Sequence, residues 1–161
     1  MKTLILVRHG KSSWKYTVDD KDRPLQQRGV NDGHLVSKAF KKHEISIDAV
    51  FASPANRALH TSMIFSRNLN FPFTKFRVTN ELYDFSGERI QKFVRNLDNA
   101  LNTVMIFGHN DALTNVANSF GNSYIDNVPT TGLVQLDFDV TEWASIQKGV
   151  TTHTIFPKDL K

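Results

Sequence analysis

The stretch Leu4-Ile5-Leu6-Val7-Arg8-His9-Gly10-Lys11-Ser12-Ser13 decides how this chain is read. Four consecutive aliphatic residues without polar alternation suit a central strand, covered on both faces, of a parallel sheet. Gly10 ends that strand in a turn and lets the backbone approach a ligand closely, which puts Arg8 and His9 at the carboxyl edge of the sheet. Open α/β sheets bind their ligands at that edge. Arg-His-Gly alone is a common tripeptide; the apolar run before it and Lys11-Ser12 after it supply the context a motif needs.

The same logic recurs at Thr103-Val-Met-Ile-Phe107, a second apolar strand that stops at Gly108-His109 and feeds a helix beginning near Asp111. Two imidazoles are thereby brought to one sheet edge. Between these strands, Leu35, Val36, Ala39 and Phe40 are spaced for one buried helix face, and Lys41, Lys42 and His43 complement its dipole at the C-terminal end. A strand from Asp48 to Ala52 leads to Ser53 as N-cap and Pro54 as first residue of a helix. Arg57, in its first turn, would then point back toward Arg8 and His9. Phe73 to Val78 is a weaker strand, followed by a helix from Ser86 or Gly87 with Ile90, Phe93, Val94 and Leu97 on one face. Leu133 to Phe138 reads as a strand paired with Trp143 to Ile146 in a terminal hairpin, and the charged stretch Trp14 to Arg23 as an exposed loop. This alternation predicts a three-layer α/β/α sandwich with a mainly parallel sheet, residues 1–161 forming one domain.

Composition narrows the function. Hydrophobic residues make up 40% of the 161, with 12 phenylalanines, as a packed core requires. There are no cysteines, which removes disulfides, thiolate metal sites and a cysteine nucleophile. The net charge of +4 suits attraction to anions, yet the basic residues form no block, so nucleic acid is not an expected partner. No run is long enough to span a membrane and no signal segment precedes the first strand, so a cytoplasmic protein is expected. His34, His43, His60 and His153 lack metal-binding spacing; neither a metal nor another cofactor is expected.

Arg8, His9 and Gly10 resemble the histidine phosphatase superfamily, which carries a nucleophilic histidine in an Arg-His-Gly after its first strand, and His109 matches its later Gly-His. A narrower resemblance, Arg8 to Trp14 and Asp22 to Gly29, is to the small phosphohistidine phosphatases of the SixA type. The likeness covers nearly the whole chain, and Thr130, Thr131 and Gly132 resemble the segment before the family's last strands. It implies a phosphoglycerate mutase-like fold and a metal-independent phosphatase in which His9 attacks phosphorus and becomes phosphorylated. Arg8, Arg57 and His109 would bind the phosphoryl oxygens. The family often carries its proton donor in a Leu-x-Glu segment; Leu82-Tyr83-Asp84 fits with Asp in place of Glu, and Glu81 is a second, unaligned carboxylate.

Nearby cations suit such a nucleophile, because they disfavour its protonated form. The short segment between Ile64 and Glu81 leaves little room for a lid, so an open site for phosphohistidine on a protein is expected, with inorganic phosphate as product. A small phosphorylated substrate, for a phosphomonoesterase or mutase, and a phosphate-binding module without turnover are the alternatives. A competing motif, Asp137-Phe-Asp139-Val-Thr141, copies the haloacid dehalogenase signature, but too little chain follows it for that fold; Asp137 and Asp139 read as solvent-side hairpin residues.

Overall fold

In the computed structural model, which describes residues 1–161, the strand that opens the chain, β1 (Lys2–Arg8), lies inside a six-stranded sheet ordered β3-β2-β4-β1-β5-β6. β2 (Ala49–Ala52), β3 (Phe76–Val78) and β4 (Thr103–Gly108) join β1 in a parallel half. β5 (Leu133–Phe138) and β6 (Val150–Ile155) extend it antiparallel. The helices α1 (Gln27–Lys41), α2 (Asn56–Asn68), α3 (Glu88–Arg95) and α4 (Ala112–Phe120) follow β1 to β4 in turn, as crossover connections require.

Strand alternation divides the interior. Leu4 and Leu6 of β1, with Val104 and Ile106 of β4, pack in one cluster with Ile90 and Val94 of α3 and Leu113 and Val116 of α4. Ile5, Val7, Met105 and Phe107 belong to the other, with Val36 and Phe40 of α1 and Phe65 of α2. The unbroken apolar runs are therefore explained by burial on both faces. Each such side chain stabilises the fold by about 1.5–3 kcal/mol relative to its exposed state. The result is the expected three-layer α/β/α sandwich. No helix is long and apolar enough to cross a membrane.

Two local expectations are corrected. Trp143 to Ile146 does not pair with β5. Trp143–Ser145 is a 3-10 turn whose fully buried indole donates to the Leu101 carbonyl at 2.8 Å, and the β-branched run Val150–Ile155 takes the edge position instead. The chain returns to β5 through Gly149, where a Cβ would lie 2.4 Å from the Asp137 carbonyl. Ser53 does not cap α2, which begins at Asn56 behind Ala55. The Trp14 to Arg23 stretch is exposed as expected as far as Asp22, and it is anchored at its end: Asp20–Asp22 forms a 3-10 turn, and Arg23 is buried with its guanidinium on the Ser12 hydroxyl and the Ser13 carbonyl.

α1 also braces the first strand's turn. A Cβ on Gly29 would stand 2.5 Å from the Lys11 carbonyl, so only glycine allows this approach, and the Gln26 amide donates to that same carbonyl.

Candidate active site

The parallel register of β1 and β4 pairs Arg8 with Gly108, and the His9 amide donates to the Gly108 carbonyl at 3.1 Å. The two strands thus stop together, and their next residues, His9 and His109, stand side by side with ring centroids 5.2 Å apart. β2, on the other side of β4, delivers Ser53 and then the first turn of α2 with Arg57. Arg57 is only 2% exposed. Its Nε–H donates to His9 Nε2 at 3.3 Å, while Nη2 lies 3.4 Å from His109 Nδ1. Arg8, His9, Arg57 and His109 therefore share the carboxyl edge of the sheet.

The neighbours of each imidazole define its use. His9 Nδ1–H donates to the Gly10 carbonyl at 2.7 Å, which leaves the Nε2 lone pair facing Arg57. Burial, and then the charges of His109, Arg57 and Arg8, hold the His9 pKa down at about 3 against the hydrogen bond to Gly10. His109, fully buried, is likewise lowered to about 3 by burial and Arg57. His9 Nε2 is accordingly an unprotonated base at neutral pH. His109 Nε2 lies 2.8 Å from Ser53 Oγ, which also accepts the Ala55 amide at 3.2 Å. Ser53 Oγ thus engages His109 Nε2 and leaves Nδ1 facing Arg57 and the pocket.

Arg8 holds the far side. Its Nη1 donates to the Val128 carbonyl at 2.9 Å, but its buried Nε has no partner. Such an unspent donor suits an anionic ligand. Thr131, at φ 60°, ties the segment before β5 to this edge by donating its amide to the Arg8 and His9 carbonyls. The Gly10 amide donates to Thr61 Oγ1 at 2.9 Å.

Two residues of the site escape sequence reasoning. Asp20 accepts from Arg57 twice, by its carbonyl at 2.6 Å and its carboxylate at 2.9 Å, and Tyr83 Oη donates to the same carboxylate oxygen at 2.5 Å. These contacts hold the Asp20 carboxyl well below its usual range despite some desolvation. Three aspartates crowd that stretch, and no local pattern distinguishes Asp20 from Asp19 or Asp22. Tyr83 and Phe85 bring their ring centroids to 5.3 and 4.9 Å from His109.

Asp84 is placed differently from expectation. It is buried, and its carboxylate accepts the Ser86 amide and hydroxyl and the Gly87 and Ile90 amides at 3.0 to 3.2 Å. These donors outweigh desolvation and lower its pKa. A carboxylate so engaged caps α3. Glu81 is diverted to Arg89 at 3.6 Å. Asp137 accepts from Thr3 Oγ1 at 2.7 Å on the sheet and stands apart from this edge.

A family model described as histidine phosphatase superfamily (branch 1) matches residues 4–85. An uncharacterised protein of Mycobacterium tuberculosis is 25% identical over 153 residues, covering 89% of this chain and 93% of that one. A 2,3-bisphosphoglycerate-dependent phosphoglycerate mutase of Bradyrhizobium sp. is 32% identical over 74 residues, 44% of this chain and 36% of the mutase. The fold is similar to that of the protein histidine phosphatase SixA solved with tungstate, with TM-score 0.84, 21% identity and 99% of each chain covered.

Proposed function

The chain belongs to the histidine phosphatase superfamily, branch 1, and from that premise we propose that it is a metal-independent phosphatase acting on phosphohistidine carried by a protein. Residues 1–161 act as one catalytic domain. The observation that carries the reading is the His9 imidazole, locked by the Gly10 carbonyl with its Nε2 lone pair turned toward Arg57 and His109. That lone pair attacks phosphorus in line. A His9 Nε2–P bond forms as the bond to the leaving group breaks, and the electron pair departs with the leaving atom. Water then cleaves the phosphohistidine and releases inorganic phosphate. Two modest displacements replace one difficult one.

Charge on the transferring oxygens is met by Arg57, by His109 and by the unpaired Nε–H of Arg8. Asp20 and Tyr83 hold Arg57 in its pose from behind. Two features support a phosphohistidine substrate. With Asp84 committed to capping α3, its segment supplies no obvious acid, and a phosphoryl imidazole needs none: protonated on its far nitrogen, it leaves as neutral imidazole. The rim is also open, with Phe85 46% exposed, and only a 3-10 turn and the short β3 lie between α2 and Asn80. A side chain presented on a protein surface fits such a site.

His9→Ala should abolish release of phosphate from a phosphohistidine-bearing protein, by several orders of magnitude as for other covalent nucleophiles. Rapid quenching of the wild type under alkaline conditions should trap phosphate on His9, stable in base and labile in acid. Near-normal turnover in His9→Ala would sink the mechanism.

A further inference from the structure

Beside the anion pocket stands an apolar wall with no role in holding phosphate. Phe85 lies 4.9 Å from His109 and 5.1 Å from Tyr83, ring to ring, yet it is 46% exposed. It has company: of the ten exposed large apolar side chains, Trp14, Tyr16, Val18 and Phe85 all fall in the two segments that bring Asp20 and Tyr83 to Arg57. Isolated exposed apolar residues need no explanation, but an exposed ring packed on a site imidazole does.

Charge specifies the occupant. The Phe85 ring offers a negative π-face and packs against Tyr83, whose hydroxyl is bonded to the Asp20 carboxylate that Arg57 and Arg23 pair. An exposed aromatic face suits a flat cation, and the neighbouring Tyr83 ring already holds the Lys21 ammonium 4.8 Å from its centroid. A phosphoryl imidazole ready to leave is one, since its far nitrogen must be protonated before the P–N bond breaks.

Building on the phosphatase reading above, we propose that Phe85 is the face on which the leaving-group ring stacks, making it the residue that favours phosphate carried on a cationic imidazole over phosphate carried on a group without a ring. No bond is made or broken by Phe85; it binds the departing ring while His9 takes the phosphoryl group.

The test compares kcat/KM on phosphoimidazole with that on phosphoramidate, both P–N compounds, only the first bearing a ring. Phe85→Ala and the apolar but ringless Phe85→Leu should lower the ratio about tenfold, as for loss of one aromatic–cation contact. Phe85→Trp should keep or raise it. A Phe85→Leu ratio within twofold of wild type, or a Phe85→Trp ratio as low as that of Phe85→Leu, overturns the assignment. If the wild type consumes both compounds and the ratio ignores position 85, the role of Phe85 alone falls. If it consumes neither, the phosphatase reading falls and takes this one with it.

Discussion

Lowering the pH from about 6 to about 5 should cost this protein about 2 kcal/mol of stability, because two buried imidazoles refuse protons that the unfolded chain accepts. His9 and His109 titrate at about 3 in the folded protein, against about 6.5 for the unfolded residue. For a group whose folded pKa is depressed in this way, the unfolded state binds more protons below the unfolded pKa. Stability is therefore full above that value and is lost as pH falls toward the folded one. Over that single pH unit each unfolded imidazole is mostly protonated and each folded one is not, so the pair sets a slope a little under twice 1.4 kcal/mol per unit. The loss is a large share of a typical ~5–15 kcal/mol. Asp20 and Asp84 have folded pKa values below their ordinary range, so their contributions are lost only at lower pH, below the usual carboxylate value. Urea unfolding at closely spaced pH values measures the slope. His9→Asn and His109→Asn should each remove about half of it, and saturating tungstate should flatten it, since a bound oxyanion favours the charged imidazoles. A wild-type stability that is level between these pH values, or a slope that survives in the double variant, would refute the reasoning.

Asp20→Asn should lower kcat roughly five- to tenfold, the share left to a charge-assisted hydrogen bond whose carboxylate is partly exposed, with partial recovery in Asp20→Glu. An unchanged kcat would mean that Arg57 keeps its pose unaided. Asp84→Ala should destabilise the fold by about 1–2 kcal/mol in urea unfolding, through loss of the α3 cap. Its rates on aryl phosphates with good and poor leaving groups should fall by a common factor; a loss confined to the poor ones would return the acid role to Asp84. Exhaustive treatment with EDTA should leave turnover intact, because side chains supply the positive charge. Activity lost on chelation and restored by one metal would overturn that and direct attention to Asp137 and Asp139.

The layered fold and the histidine pair were legible in the sequence because their signals are local. Leu4 to Val7 and Val104 to Phe107 are apolar without alternation, which only burial on both faces satisfies, and each run ends at a residue that turns the chain. Once both are parallel strands, their ends must lie on the same edge, so His9 and His109 meet without any tertiary information beyond adjacency. The cap formed by Asp84 on Ser86, Gly87 and Ile90 is also local, while the family pattern at Leu82-Tyr83-Asp84 implies an acid at the same carboxylate. The strand at Val150–Ile155 competes in the sequence with Trp143, whose indole suits a sheet and a core plug equally until the space around Leu101 is known. Asp20 and Tyr83 belong to tertiary structure alone. They are 63 residues apart, each sits at a short 3-10 turn, and their meeting beside Arg57 follows from where the ends of β1, β2 and β4 converge. Periodicity records how each segment faces the core and carries no trace of which loops will share an edge.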